Sequence, residues 1–281
     1  MSANAVTADL VTPRASAPYN PIGPVLTLAR RRFQLSARTP RELVVPLLTP
    51  ILFALVIAPS LKTALHTSAS YESFVATGTI GLLIPLNTMF AGIGVLVDRE
   101  SGAQRELLTA PIARSLLVVA NLVVAFAITT LQIGVLLAVA RARGIHFHVT
   151  GGGLVWFLAA GSLFTIGMYG AAETLAARVP SAEEYIGRVP AIAIVPWFLA
   201  GSLFPISALP AFLTWIARFL PLTHALALMR YGLLDDPSGL THIWRMQNAA
   251  AMAAASLGVI TVFALLLTFV GVRAFSRRAV H

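Results

Sequence analysis

Few side chains in this sequence can take part in chemistry, and most of them crowd into one stretch. DRESGAQRELLTAPIARS, residues 98–115, carries six charges, on Asp98, Arg99, Glu100, Arg105, Glu106 and Arg114. Asp98, Arg99 and Glu100 open it, Gly102 permits a turn, and residues 104–110 can form a short helix that ends near Pro111. On that helix Ala103, Leu107 and Pro111 share a side, while Arg105 and Glu106 project elsewhere. Mixed charges around a small apolar ridge make a specific recognition surface for another protein. The plainer alternative is a connector that keeps its charges in the membrane interface. Neither is catalysis.

The remaining candidates are isolated. Glu173, in YGAAETLAAR, lies near the end of an otherwise uncharged run. A carboxylate there is a candidate intramembrane polar site, although it can also snorkel to the boundary or pair with a nearby arginine. His146 and His148 could supply two metal ligands, but no acidic third ligand lies close by, so HFH reads as a solvated turn and no metal site is expected. Lys62, the only lysine, sits in SLKTAL without the glycines of a phosphate-binding P-loop. Neither HExxH nor GxSxG occurs, and the absence of cysteine removes thiolate chemistry and disulfides. No catalytic residue is assigned, and the chain cannot be a P-loop ATPase.

The elements that position these residues are set by hydropathy. The chain has 281 residues, of which 57% are hydrophobic and 11% charged, against about 25% charged in an ordinary soluble domain. Crossing a hydrocarbon core about 30 Å thick takes roughly 20 residues of helix. Six such windows are present: 43–59, 74–97, 116–140, 154–177, 190–208 and 248–272. Residues 1–24 are polar, lack the apolar centre of a signal peptide, and read as a disordered tail. Residues 25–42 place Val25, Leu28, Ala29 and Phe33 at helical spacing opposite arginines, the pattern of a helix lying in the interface.

The net charge of +9 does not point to nucleic acid, because the arginines flank apolar runs. With the N-terminus inside, and leaving out the distant Arg14, thirteen arginines fall on the cytoplasmic side: 30, 31, 32, 38, 41, 99, 105, 114, 178, 188, 273, 277 and 278. Lys62, Arg141, Arg143, Arg218, Arg230 and Arg245 fall outside. Both termini and the 98–115 loop are therefore expected in the cytoplasm. Residues 209–234 are apolar enough for a seventh span, but Pro221 divides them into halves too short to cross, and Arg218 and His224 would sit in mid-membrane. They are expected to form an external helical hairpin between spans five and six. WFLAAGSLFTI (156–166) resembles WFLAGSLFPI (197–206), which reads as shared small-residue packing rather than duplication. Gly78, Gly81, Gly92 and Gly94 suit tight packing of the second span, either within the chain or against another protomer. The fold class that follows is an all-α integral membrane protein of six transmembrane helices, with an N-terminal interfacial helix and the external hairpin.

The charged stretch also resembles the D-R-E-x-G-x-x-R-x-L-L-x-A-P-I-x-R signature of ABC-2-type transporter permeases, the family that includes daunorubicin-resistance-like drug exporters. The match holds at Asp98, Arg99, Glu100, Gly102, Arg105, Leu107, Leu108, Ala110, Pro111, Ile112 and Arg114. RTPRELVVPLLTPILFALV (38–56) is similar to the family's approach to its first span, and residues 204–233 to its fifth-span end and hairpin. The resemblance implies a separate ABC-type ATPase subunit as partner, which binds ATP and Mg²⁺, and a second copy of this permease or a homologous one. It gives Asp98, Arg99, Glu100, Gly102, Arg105, Leu107, Leu108, Ala110 and Pro111 the role of coupling to that ATPase, and places the chain in a bacterial plasma membrane. The chain itself is expected to bind no cofactor. The chain has four tryptophans and its spans carry only scattered polar groups such as Asn87, Asn121 and Gln132, so a hydrophobic or amphipathic cargo, drug-like or lipid, is expected. The alternatives are export of a polysaccharide or glycolipid, and a proton-coupled secondary transporter.

Overall fold

A computed structural model describes residues 22–37, 48, 51–65, 70–103, 107, 109 and 113–278. The N-terminal tail therefore lies outside the described residues for nearly all its length. Every regular element among the described residues is helical. In order these are α1 (Ile22–Ala37), a π-turn at Phe53–Ile57 leading into α2 (Ala58–Leu65), α3 (Ser70–Glu100), α4 (Arg114–Ala142) and α5 (Gly151–Ala176). There follow α6 (Ala182–Leu199), a 3₁₀ turn at Ile206–Ala208, α7 (Ala211–Phe219), α8 (Pro221–Leu234), α9 (Ser238–Trp244) and α10 (Ala249–Arg278). Long uncharged runs of Leu, Val, Ala and Ile satisfy their own backbone only as helices when water is absent. The starts are marked by local chemistry. Thr150 Oγ1 accepts from Gly153 N–H at 3.0 Å, Ser181 Oγ accepts from Glu184 N–H at 3.3 Å, and Pro221 occupies the first turn of α8.

Helix α5 is the hub of the bundle and packs against α10, α8 and α3. Glycine makes those approaches close. A Cβ on Gly170 would lie 2.5 Å from the Leu267 carbonyl carbon, and one on Gly271 would lie 2.7 Å from Gly170 O. Gly153 and Gly232 hold α5 and α8 in the same way, each with the other's carbonyl oxygen within 2.5 Å of its absent Cβ. The four glycines of α3 are all used within the chain. Added Cβ atoms would strike Ser202 O from Gly78, Leu226 from Gly81, the Tyr185 hydroxyl from Gly92 and the Arg32 guanidinium from Gly94.

Among the described residues four helices are long and apolar enough to cross a membrane: α3, α4, α5 and α10. The count becomes five if α7 and α8, which meet at an 81° bend, are taken as one broken span. It differs from the six expected windows at two places. The 43–59 window begins outside the described residues. Its described part, from Ile51, continues helical past residue 59 to Leu65. The fifth window, 190–208, is displaced. Its helix runs from Ala182 to Leu199 and so opens with Glu183, Glu184 and Arg188, after which the chain turns at Gly201, φ +81°. The similar WFLAAGSLFTI and WFLAGSLFPI segments differ accordingly, the first lying within α5 and the second running off the end of α6.

Candidate functional site

Asp98, Arg99 and Glu100 end α3, and each faces a different neighbour. Asp98 receives the guanidinium groups of α1, with Arg32 Nη1 at 3.4 Å from Oδ2 and Arg31 Nη2 at 3.8 Å from Oδ1. Arg32 reaches it by crossing Gly94, to whose carbonyl it also donates at 3.3 Å. Arg99 turns toward the end of α5. Its Nη1 donates to Ala176 O at 3.1 Å and its Nη2 to the carbonyls of Val179 and Pro180, both at 2.9 Å. The last carbonyls of a helix lack intrahelical donors and form the negative end of its dipole, so an arginine is matched to them twice over. Glu100 Oε1 accepts from Ala182 N–H at 3.0 Å, at the start of α6, where orphan N–H groups and the positive dipole end favour a carboxylate. Three consecutive residues thus tie α3 to α1, to the C-terminus of α5 and to the N-terminus of α6.

The backbone then leaves the helix through Gly102, φ +79°, with open space where a Cβ would stand. That conformation strains any β-branched residue. Leu107 is half-buried and packs with the cluster of Leu117, Val118, Tyr169 and Phe275. It therefore faces the bundle and is not part of a free outward ridge. Arg105, Leu108, Ala110 and Pro111 lie outside the described residues.

Glu173 neither snorkels nor forms an ion pair. It is 1% exposed, accepts a short hydrogen bond from the Tyr169 hydroxyl one turn earlier, and leaves Oε2 without a partner among the described residues. Its Cβ lies at the Gly170–Gly271 crossing of α5 and α10. A second buried polar link joins α3 to α4, where Asn87 Nδ2 donates to Gln132 Oε1 at 2.6 Å. In the loop after α4, His146 Nδ1 lies 3.2 Å from Arg141 Nη1.

The strongest polar locus missed in the sequence is at the other end of α3. Arg230, counted there as an external surface charge, is 5% exposed within α8. Its Nη1 donates to Gly201 O at 2.8 Å, Nη2 to Ser202 O at 3.1 Å and Phe74 O at 3.3 Å, and Nε to Thr77 Oγ1 at 3.2 Å. The guanidinium carbon stands 3.4 Å above the Phe74 ring centroid. Arg230 therefore pins α8, the turn after α6 and the first turns of α3 together without a carboxylate. An arginine inside an apolar helical stretch such as HALALMRYGL needs oxygen partners, and that requirement was the available signal. Nearby, His224 is buried, with Nδ1 3.2 Å from Ser256 Oγ and Nε2 2.9 Å from Arg218 O.

The described residues form an apolar helical bundle with the D-R-E turn at one end and the Arg230 clamp at the other. The ABC-2 type transporter family model matches residues 24–234. Among curated proteins no match is found. The family match covers α1 to α8, including the whole D-R-E junction and both helices of the bent pair. The chain is a multi-pass membrane protein that belongs to the ABC-2 type transporter family.

Proposed function

We propose that the chain is the membrane-spanning permease subunit of an ATP-driven exporter, coupled to a separate ABC-type ATPase through residues 98–115. The observation that carries this reading is the D-R-E junction. A push on the chain just beyond Gly102 bears directly on Asp98, Arg99 and Glu100, and through them on α1, α5 and α6. ATP and Mg²⁺ act on the partner, whose closure drives the bundle between inward-open and outward-open arrangements by rigid-body rocking. Two permease chains form the transport path.

The membrane arrangement belongs to the same proposal. Six crossings are made by the segment ending in α2, by α3, α4, α5, α6 and by α10, with both termini in the cytoplasm of a bacterial cell. Helix α6, at 18 residues, is about 27 Å long, close to a hydrocarbon core. Helix α8, at 14 residues, reaches only about 21 Å, and its 81° bend from α7 supports a hairpin that dips in from the outer face. The cargo is a hydrophobic or amphipathic compound, consistent with described spans whose threonines mostly bond the backbone of their own helices.

The test is co-purification. A tagged permease extracted in mild detergent should retain an ABC-type ATPase whose hydrolysis it stimulates, and Glu100→Arg should lose both while remaining in the membrane at normal abundance. Glu100→Arg puts a cation against the positive end of α6 as well as altering the docking stretch. A wild-type chain that never retains such an ATPase would overturn the reading.

A further inference from the structure

A sizeable cavity among the described residues lies away from the D-R-E end. It opens between the 3₁₀ turn, α7 and the end of α9, with a volume of about 460 Å³. Arg218, His242 and Arg245 line it together with Ser207, Thr214 and Gln247, and no aspartate or glutamate contributes to its wall. Arg218 Nε is buried and has no hydrogen-bond partner among the described residues. A buried guanidinium N–H without an acceptor is costly unless a ligand supplies one. The main chain at both arginines is fixed: His224 Nε2 bonds the Arg218 carbonyl at 2.9 Å, and Arg245, at φ +56°, closes α9 with its N–H on Thr241 O at 2.8 Å.

We infer that this cavity binds the phosphate group of an anionic amphiphile. Two guanidinium groups and an imidazole line the cavity from two sides, Arg218 on α7 and His242 with Arg245 at the end of α9, which suits the several outward oxygens of a phosphate ester better than a planar carboxylate. The surroundings point to a phosphate that carries an apolar tail. On α7, Thr214 and Arg218 face the cavity, while Phe212, Trp215 and Phe219 stand about a third of a turn away and are 66%, 63% and 67% exposed. Aromatic side chains beside a cationic notch match the level where headgroups meet acyl chains. A lipid phosphate seated on Arg218 lays its chains along that aromatic face. The site lies at the end of the bundle opposite the D-R-E junction, because the adjoining turn bonds the start of α3, with the Tyr71 hydroxyl donating to Leu203 O at 2.9 Å. The inference needs neither the partner ATPase nor the orientation of the bundle.

The test uses the purified full chain in a neutral detergent. Thermal unfolding is followed against short-chain phosphatidylglycerol, short-chain phosphatidylcholine, glycerol 3-phosphate and inorganic phosphate. Phosphatidylglycerol should raise the midpoint saturably, and phosphatidylcholine, whose choline masks the charge, should do so far less. Arg218→Gln and Arg245→Gln should each weaken the apparent affinity about tenfold or more. If glycerol 3-phosphate or inorganic phosphate matches phosphatidylglycerol, the anion site stands and its ligand is a soluble phosphate rather than a headgroup. Should Arg218→Gln not fold, exposed Arg245 carries the test alone. Equal responses to the anionic and zwitterionic lipids, or an anionic response unchanged in the arginine variants, overturn the inference.

Discussion

Replacing Arg230 with methionine removes the guanidinium while keeping a long flexible side chain in α8, so it isolates what the buried charge contributes. The carbonyls of Gly201 and Ser202 lie in the turn after α6 and lose their donor. Each buried acceptor left unpaired costs about 1–3 kcal/mol, or about 2–6 kcal/mol together. The contact with Phe74 adds roughly 2 kcal/mol when desolvated. Against these stands relief from burying a cation, several kcal/mol in the opposite sense. The donors outweigh the relief because four acceptors converge on one fork, and a net destabilisation of about 2–3 kcal/mol is expected. Arg230→Lys, with a point charge that cannot reach all four acceptors, should fall between the two. Thermal unfolding of the three purified proteins in the same detergent gives the order wild type, Arg230→Lys, Arg230→Met. A methionine variant as stable as wild type would refute the clamp and leave Arg230 a tolerated burden.

Three further outcomes follow from the same packing. Because the chain has no cysteine, single cysteines at Ser101 and Ser276 should resist an impermeant maleimide in intact cells while one at Ser238 labels, and labelling at Ser101 would reverse the bundle. Gly94→Val must expel Arg32, whose Nη2 would lie 0.8 Å from the new Cβ. Losing the Arg32–Asp98 pair should speed hydrogen exchange over 22–37 while global stability changes by less than about 1 kcal/mol. Tyr169→Phe should cost roughly 1–3 kcal/mol by stranding the Glu173 carboxyl, whereas Glu173→Gln, which still accepts from Tyr169, should unfold near the wild-type midpoint.

Much of the helical framework was legible because an uncharged run near twenty residues has few alternatives in lipid. Helices α3, α4, α5 and α10 each overlie such a run. Helix α6 was read eight residues late at its start, since Glu183, Glu184 and Arg188 look like loop charges when their use at a helix N-terminus is hidden. Its end was misread because GSLFPIS is apolar enough to continue a span, and the turn at Gly201 shows only in the backbone. Among site residues, the importance of the D-R-E stretch was visible in its charge density. Its internal partners were not, because Arg99 and Glu100 bond main-chain groups of a turn some eighty residues away. Glu173 and Arg230 were misjudged for one reason: pattern reports where a charge falls along the chain, and burial depends on which helices later cover it.

The central claim is that residues beyond Gly102 pass the ATPase stroke into the bundle through the D-R-E junction. Gly102 tests it most directly, since its φ of +79° forbids a β-branched residue while the open space around it removes any steric clash. Transport-linked ATP hydrolysis should be measured in proteoliposomes holding the permease and its ATPase, with wild-type chain, Gly102→Asn and Gly102→Val. Asparagine tolerates the left-handed conformation and should keep most of the coupling, whereas valine should insert at normal abundance and lose it. Valine coupled as fully as wild type would contradict the account and leave the stretch a connector.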